Sequence, residues 1–412
     1  MKRSLDIFSP QQKSTIINPN SKQSFVLLNE SFATLSDDPK DPLSCISVSN
    51  SSLSIDLWKG CRWQCAYCHV QGSIRNLNEE GFMPNKATLH RDFTEREVVD
   101  ALLATPLFVK NETIISIGTA STEPFAVGEV LNSTFNIVDE LIRRSINNPV
   151  WIVTKAGVPN QALPRISQVT PHIKSLIISP TFGALNKEIE PVQNNRFFNI
   201  EQAYSLGAKI VLYLRPLVKS WGTTVQKVRI AMESATNDIS NKTVSAVVIG
   251  GLRWTEGIEY GLQNRDINWP EELQKVDNYK DLPDDLFEEV SSLCNDLLPS
   301  VPVVKHSSCA LAHVLKHSDA LATFAYGKDD CKESTCSQKQ RESCMKAAEK
   351  LLDENLVEII SKQVKKLTLP IIINSINESG KLNTSPEFIH LPYAIQTTLR
   401  KIVGKVLLKK YE

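Results

Sequence analysis

An alternation that begins near residue 50 limits this chain to few folds. Short apolar runs rich in Val and Ile occupy 53–58, 113–119, 150–154, 175–181, 209–216 and 244–250. Longer amphipathic stretches separate them, and helices are expected over 95–104, 133–145, 200–206 and 224–235. Near-continuous apolar strands are buried on both faces, as in a parallel sheet covered by helices. Parallel neighbours need a crossover connection, and such crossovers are right-handed, so successive units curl in one direction. Six units fall short of the eight that close a barrel. The expected class is α/β.

In parallel α/β folds, ligands bind beyond the carboxyl ends of the strands. Here the second run leads into Gly118-Thr119-Ala120-Ser121-Thr122-Glu123-Pro124, and the third into Thr154-Lys155. The fourth ends in Ser179-Pro180-Thr181, the fifth in Arg215-Pro216 and the sixth in Gly250-Gly251-Leu252-Arg253. Gly and Thr are common in any barrel loop. Small, polar and cationic residues at successive strand ends nevertheless make a coherent ligand-binding rim.

Directly after the first run stands Trp58-Lys59-Gly60-Cys61-Arg62-Trp63-Gln64-Cys65-Ala66-Tyr67-Cys68-His69, with the spacing C-x3-C-x2-C. Three thiolates can hold three irons of a four-iron cluster and leave the fourth open for chemistry, whereas a cluster closed by four thiolates mostly carries electrons. Zinc is the competing use of such a run. Zinc sites usually combine C-x2-C pairs with a nearby fourth ligand.

The chain has 412 residues and a formal net charge of zero. That length suits one large domain with appendages, or two domains. Zero net charge gives no overall electrostatic case for nucleic acid or membrane. No apolar run approaches the length of a membrane span, and the opening residues lack the apolar core of a signal peptide. Nine cysteines in such a chain point to a reducing, cytoplasmic setting and to metal ligation. The expected division is a polar lead-in over 1–45, the α/β unit over 46–260 and an extension over 261–412.

The cysteine triplet, with Tyr67 just before the last cysteine, resembles the radical S-adenosylmethionine (SAM) enzymes. The order of segments is similar to the spore photoproduct lyase-like branch of that family. The matching pieces are Trp58-Lys59-Gly60-Cys61 with Cys65 and Cys68, Thr122-Glu123-Pro124-Phe125, and Ile152-Val153-Thr154-Lys155. Ile189-Glu190-Pro191 with Arg196 and Leu214-Arg215-Pro216-Leu217 complete the set. The resemblance covers roughly residues 53–254 and implies a partial (β/α)6 barrel.

It also implies a [4Fe-4S] cluster on Cys61, Cys65 and Cys68, with SAM chelating the open iron. Reductive cleavage of SAM would then release a 5′-deoxyadenosyl radical. Tyr67 is expected near the adenine and Thr122 and Glu123 near the amino group. Thr154 and Lys155 are expected near the carboxylate or ribose, and Glu190, Arg196 and Arg215 on the ribose or substrate side. A reductant such as flavodoxin or ferredoxin is the implied partner. The lyase quenches its product radical with a cysteine downstream of the cluster loop. Here no cysteine lies between Cys68 and Cys294, so radical initiation carries over and that lyase's own reaction does not.

A second set, Cys309, Cys331, Cys336 and Cys344, has the spacing C-x21-C-x4-C-x7-C. Four thiolates suit an auxiliary iron–sulfur cluster or a tetrahedral zinc site. His306, His313 and His317 are candidate substitutes for one ligand. Cys45 and Cys294 have apolar neighbours and are expected in the core. Beyond the set, a helix over 338–354, a strand over 370–373, a turn at 378–380 and a closing helix over 393–408 are expected. From residue 362 onward nine Lys and Arg stand against three Glu. The tail could attract phosphate-bearing substrate or nucleic acid, or be a solvated helix surface. A competing reading is therefore a non-catalytic iron–sulfur or zinc protein that binds nucleic acid. The substrate itself is not legible, and nucleotides or nucleic acid, peptides and biosynthetic small molecules all remain open.

Overall fold

The computed structural model describes residues 14–17, 24–27, 33–36, 38–49, 51–61, 63, 65–68, 77–78, 81–82, 89, 91–105, 107–126, 128–183, 186–190, 196–236, 241–275, 280–319, 336–349, 354–366, 371–377, 381–387, 396 and 398–404. Four strands come first: β1 (Ser14–Ile17), β2 (Ser24–Leu27), β3 (Ala33–Thr34) and β4 (Ile46–Val48). The region expected as a polar lead-in thus supplies strands. β5 (Leu53–Ile55) follows, then a small hairpin of β6 (Leu77–Asn78) and β7 (Gly81–Phe82). β8 (Ile115–Ile117), β9 (Val150–Thr154), β10 (Leu176–Phe182), β11 (Lys209–Leu214) and β12 (Val244–Ile249) are the remaining expected runs.

A two-stranded ribbon of β13 (Leu252–Arg253) and β14 (Lys280–Asp281) precedes β15 (Val303–Val304). A hairpin of β16 (Ile372–Ile376) and β17 (Leu382–Ser385) lies near the end.

The main sheet has the order β1-β2-β3-β4-β5-β8-β9-β10-β11-β12-β15. β1 to β5 pair antiparallel, and every pairing from β5 to β15 is parallel. Each new parallel strand is added on the same side. There is no reversal of order, as a doubly wound sheet would show. This is the α/β arrangement of a partial barrel, with seven parallel strands where six were expected. The seventh, β15, lies beyond residue 260, so the sheet continues into the expected extension.

The connections from β5 onward are helical. The main ones are α1 (Glu95–Ala104), α2 (Gly128–Arg143), α3 (Ala162–Val169), α4 (Ile200–Ser205), α5 (Val225–Thr236), α6 (Glu256–Gln263), α7 (Asp284–Leu297) and α8 (Ser307–Leu315). Each crossover returns the chain to the same end of the sheet. α1 shows how locally such an element is specified. Thr94 and Glu97 form a capping box, and Val98, Val99 and Leu102 supply the buried face.

Alternate residues of the strands divide between two cores, as a period of two requires. Val150, Ile152, Leu176, Ile178, Ile210, Leu212, Leu214, Val247 and Ile249 pack with α1 to α5 and α7. Trp151, Ile177, Val211, Tyr213, Ala246 and Val248 form the second core, where Ala310 and Leu311 of α8 cover them. A third cluster gathers at the strand ends. It joins Trp63, Cys65, Ala66, Tyr67, Ile189, Val218 and Trp221 to Leu252, Ile258, Leu262 and Leu273.

Candidate functional site

The first parallel strand delivers the cysteine loop to the rim. Asp56, just past β5, is buried and accepts from the Ser47 hydroxyl and, at 2.8 Å, from the Ala120 amide. That carboxylate ties the start of the loop to the turn before Thr122 and Glu123. A second tie runs from the Ala66 amide to the Ile189 carbonyl at 2.8 Å. Cys65 is 5% exposed, and Cys61 and Cys68 are half-buried.

Burial dominates the thiol chemistry. It pushes the Cys65 thiol up to about 11, against the opposing pull of Lys155, and it also raises Cys61. A buried thiol stays protonated unless a cation takes the proton's place, and a cluster iron is such a cation. The Lys155 ammonium lies 3.5 Å from the Cys65 sulfur. Among the described residues no three His, Cys, Asp or Glu side chains converge as a single-ion site requires. Three thiols in order on one loop, one of them buried beside a cation, fit the three-thiolate donor set of a cluster.

Around this loop the rim residues hold one another. The Tyr67 hydroxyl donates to Glu190 Oε2 and meets Lys155 Nζ, and Lys155 Nζ lies 3.2 Å from the same carboxylate oxygen. Arg196 pairs with Glu190 Oε1 and donates to the Thr181 carbonyl at 3.3 Å. Glu190 has no exposed surface. One buried carboxylate is thus shared between Lys155 and Arg196. Lys155 also sits over the Tyr67 ring, 4.4 Å from its centroid, and that ring stacks on Trp221 at 5.8 Å.

Glu123 is buried and accepts from the Thr154 hydroxyl, from the Lys155 amide at 2.9 Å and from the Phe125 amide at 3.3 Å. Burial raises its carboxyl above the usual value. Three of roughly four acceptor positions are thereby filled from its own chain. The ends of β8 and β9 are cross-linked through this one side chain. Thr122 is buried beside it.

Tyr67, Glu123, Thr154, Lys155, Glu190 and Arg196 therefore form one contiguous network beside the cysteines. Arg215 differs. Its carbonyl borders the network at Gly183, but its guanidinium turns to the Ser307 hydroxyl at 3.2 Å and to the Tyr213 ring. Gly183 and Trp221 are site residues the sequence reading missed. A Cβ on Gly183 would lie 2.8 Å from both the Arg215 carbonyl oxygen and the Tyr67 hydroxyl, and 2.9 Å from Glu190 Oε2. The signal available for it was a glycine two residues after the fourth run.

The second cysteine set is only partly described. Cys309 lies on α8 against the second core. Cys344 is buried on the helix Gln338–Glu349 and accepts from the Asp319 amide at 3.2 Å. Cys336 is near enough for Cys344 to help raise its thiol, although burial is the larger cause. Cys331 lies outside the described residues, as do the turn expected at 378–380 and much of the closing helix.

No protein-family model matches the chain, and no curated protein sequence matches it. Among solved structures, it is similar to a cysteine-to-alanine mutant of spore photoproduct lyase with dinucleoside spore photoproduct. That likeness has 12% identity and a TM-score of 0.43, covering 62% of this chain and 76% of the other. It is also similar to methylornithine synthase, at 14% identity and a TM-score of 0.36, covering 61% of this chain and 63% of the other.

Proposed function

We propose that this chain is a radical SAM enzyme that starts its reaction at the cysteine loop. The observation that carries this is the combination of Cys61, Cys65 and Cys68 at the end of the first parallel strand with Lys155 Nζ 3.5 Å from Cys65. A [4Fe-4S] cluster on the three thiolates, with SAM on its open iron, would supply a 5′-deoxyadenosyl radical able to take hydrogen from a substrate.

The chain's own residues bind and orient. Lys155, held beside Arg196 by their shared Glu190, presents an ammonium to a carboxylate. The remaining acceptor position of Glu123 suits an ammonium. Tyr67 and Trp221 offer an aromatic surface beside the network. The third cluster, from Trp63 to Leu273, keeps bulk water from one side of the loop. An electron-donating partner such as flavodoxin or ferredoxin belongs to this reading, and so does a second metal centre on Cys309, Cys331, Cys336 and Cys344.

The test is direct. The protein is reconstituted with iron and sulfide without oxygen, reduced with dithionite and given SAM. Formation of 5′-deoxyadenosine is expected. A loaded, reducible cluster that leaves SAM intact would end this reading.

A further inference from the structure

Just beyond β12 the chain makes an excursion over the rim. β13 and β14 pair antiparallel, Leu252 with Asp281 and Arg253 with Lys280, so the excursion leaves and returns through a neck two residues deep. The neck is tight at Gly251, where a Cβ would lie 1.4 Å from the Asp281 carbonyl oxygen. Residues 252–275, α6 among them, brace one another. Glu259 accepts from the Trp254 indole at 2.9 Å and from the Lys275 ammonium at 2.5 Å, so one side chain joins the start of the excursion to its far part. The Trp269 indole donates to the Leu273 carbonyl at 3.0 Å, and the Gln274 amide donates to Asp281 of the neck at 2.7 Å.

The two faces of this unit differ. Leu252, Ile258, Leu262 and Leu273 are buried, in one cluster with Trp63, Cys65, Ala66 and Tyr67 of the cysteine loop. Ile258 and Leu262 stand four apart, on one side of α6. Gln263, Asn264, Asp266, Glu271 and Lys275 are exposed. Polar grips hold the apolar face down. Glu272 accepts from the Ser220 amide at 2.8 Å, and Arg265 donates to the Glu188 carbonyl at 3.3 Å. Each of these lands beside a site residue. Ser220 precedes Trp221, whose ring stacks on Tyr67, and Glu188 lies two residues before Glu190. Cys65 is buried in this cluster, yet any metal that the loop takes up must reach its sulfur. Something over the loop must therefore move. Ile189, Val218 and Trp221 follow strands of the main sheet, whereas the braced unit hangs on a narrow neck and its grips are exposed. Displacing it disturbs the least structure.

We propose that residues 252–275 form a lid over the cysteine loop. It swings as one body about its neck, where Gly250 and Gly251 supply the backbone freedom, and it closes through Glu272 and Arg265. Opening admits what the thiols bind, and closing returns Cys65 to an apolar, water-poor setting. Because the grips adjoin Trp221 and Glu190, closure also steadies the Tyr67 ring and the carboxylate that holds Lys155. The role in loading rests on the reading of a cluster on Cys61, Cys65 and Cys68, whereas the opening is a property of the chain alone.

The experiment alkylates the full chain with iodoacetamide, without oxygen and without metal, and reads each cysteine by mass spectrometry. Cys294 lies in the main core with no exposed surface and reports global opening. Cys65 is expected to react about tenfold faster than Cys294 or more, because a local opening is less costly than a global one. Glu272→Ala removes one grip and should quicken Cys65 about twofold to tenfold, the range of one lost hydrogen bond, with Cys294 unchanged. Leu262→Ala removes an apolar anchor and should quicken Cys65 further. Hydrogen exchange over 256–275 should rise as one block in Glu272→Ala while α7 keeps its protection. Equal rates for Cys65 and Cys294 in the parent, or a parallel rise of both in Glu272→Ala, would make the segment part of the core and overturn the lid. An unchanged Cys65 rate in either variant overturns it too, and exchange that rises only next to residue 272 overturns the single body. Neither cluster nor SAM is present, so these rates can fail while 5′-deoxyadenosine still forms on the loaded protein, and the radical reading can fail with the lid intact.

Discussion

At the scale of single residues, Glu190 organises the site. It is buried between Arg196 and Lys155 and takes the Tyr67 hydroxyl as a donor. Removing it would leave two cations without their shared partner, and breaking a buried ion pair in this way costs about 3–5 kcal/mol. Glu190→Ala is therefore expected to lower the unfolding free energy strongly in denaturant titration. Glu190→Gln keeps hydrogen bonding and should lose less; equal losses would show that charge is not what Glu190 supplies. Lys155 can be tested through SAM itself. Lys155→Ala should weaken SAM binding by one or two charge-assisted hydrogen bonds, about 1.5–3 kcal/mol each. Equilibrium dialysis of the reconstituted variant measures this, and unchanged affinity would remove Lys155 from the SAM site. Cys65→Ala should abolish 5′-deoxyadenosine production, since loss of one thiolate leaves no defined single vacancy on the cluster.

At the scale of elements, glycine at the end of β10 decides whether the rim closes. Gly183 faces the Arg215 carbonyl, Tyr67 and Glu190 at 2.8–2.9 Å from where its Cβ would be. Backbone on one side cannot yield as a flexible side chain can. Gly183→Ala is expected to displace the Tyr67–Glu190 contact and weaken SAM binding, while far-ultraviolet circular dichroism stays that of the parent. Full SAM affinity in this variant would show that the contact is not needed.

The same elements show what a sequence can carry. β9 was legible to the residue because Val150 to Thr154 is one apolar run between polar turns, and α1 because its cap and apolar stripe agree. β15 was missed because it has only two residues, too few to show a period. α3 was missed because Pro164 reads as a breaker, although proline is tolerated in the first turn of a helix. The cysteine loop and most of the rim were legible because strand ends collect the chemistry. That Lys155, Glu190 and Arg196 bind one another was not, because those contacts join loops after different strands.

At the scale of the whole molecule, the expected extension does two things. Its first part completes the sheet with β15 and covers the second core with α8. Its later part carries Cys336 and Cys344 on a segment of low apolar content. Among the described side chains of the helix Gln338–Glu349, one hydrophobic is buried, that of Cys344. Such a helix buries too little apolar area to fix its own place, and isolated helices of this length are marginal in water. Metal ligation would supply the missing organisation, because binding to a segment without a preformed site contributes directly to folding. A protein with Cys61, Cys65 and Cys68 all replaced by Ala isolates this question. Purified without oxygen, it should retain about four irons per chain on Cys309, Cys331, Cys336 and Cys344, as a four-thiolate cluster requires. Cys344→Ala on that background should remove the iron and loosen the segment, read as faster hydrogen exchange over 336–349 with α8 unchanged. One zinc in place of iron would make the centre a structural site. A well-folded protein with neither metal would mean that these cysteines are ordinary thiols and that the segment is held by packing alone.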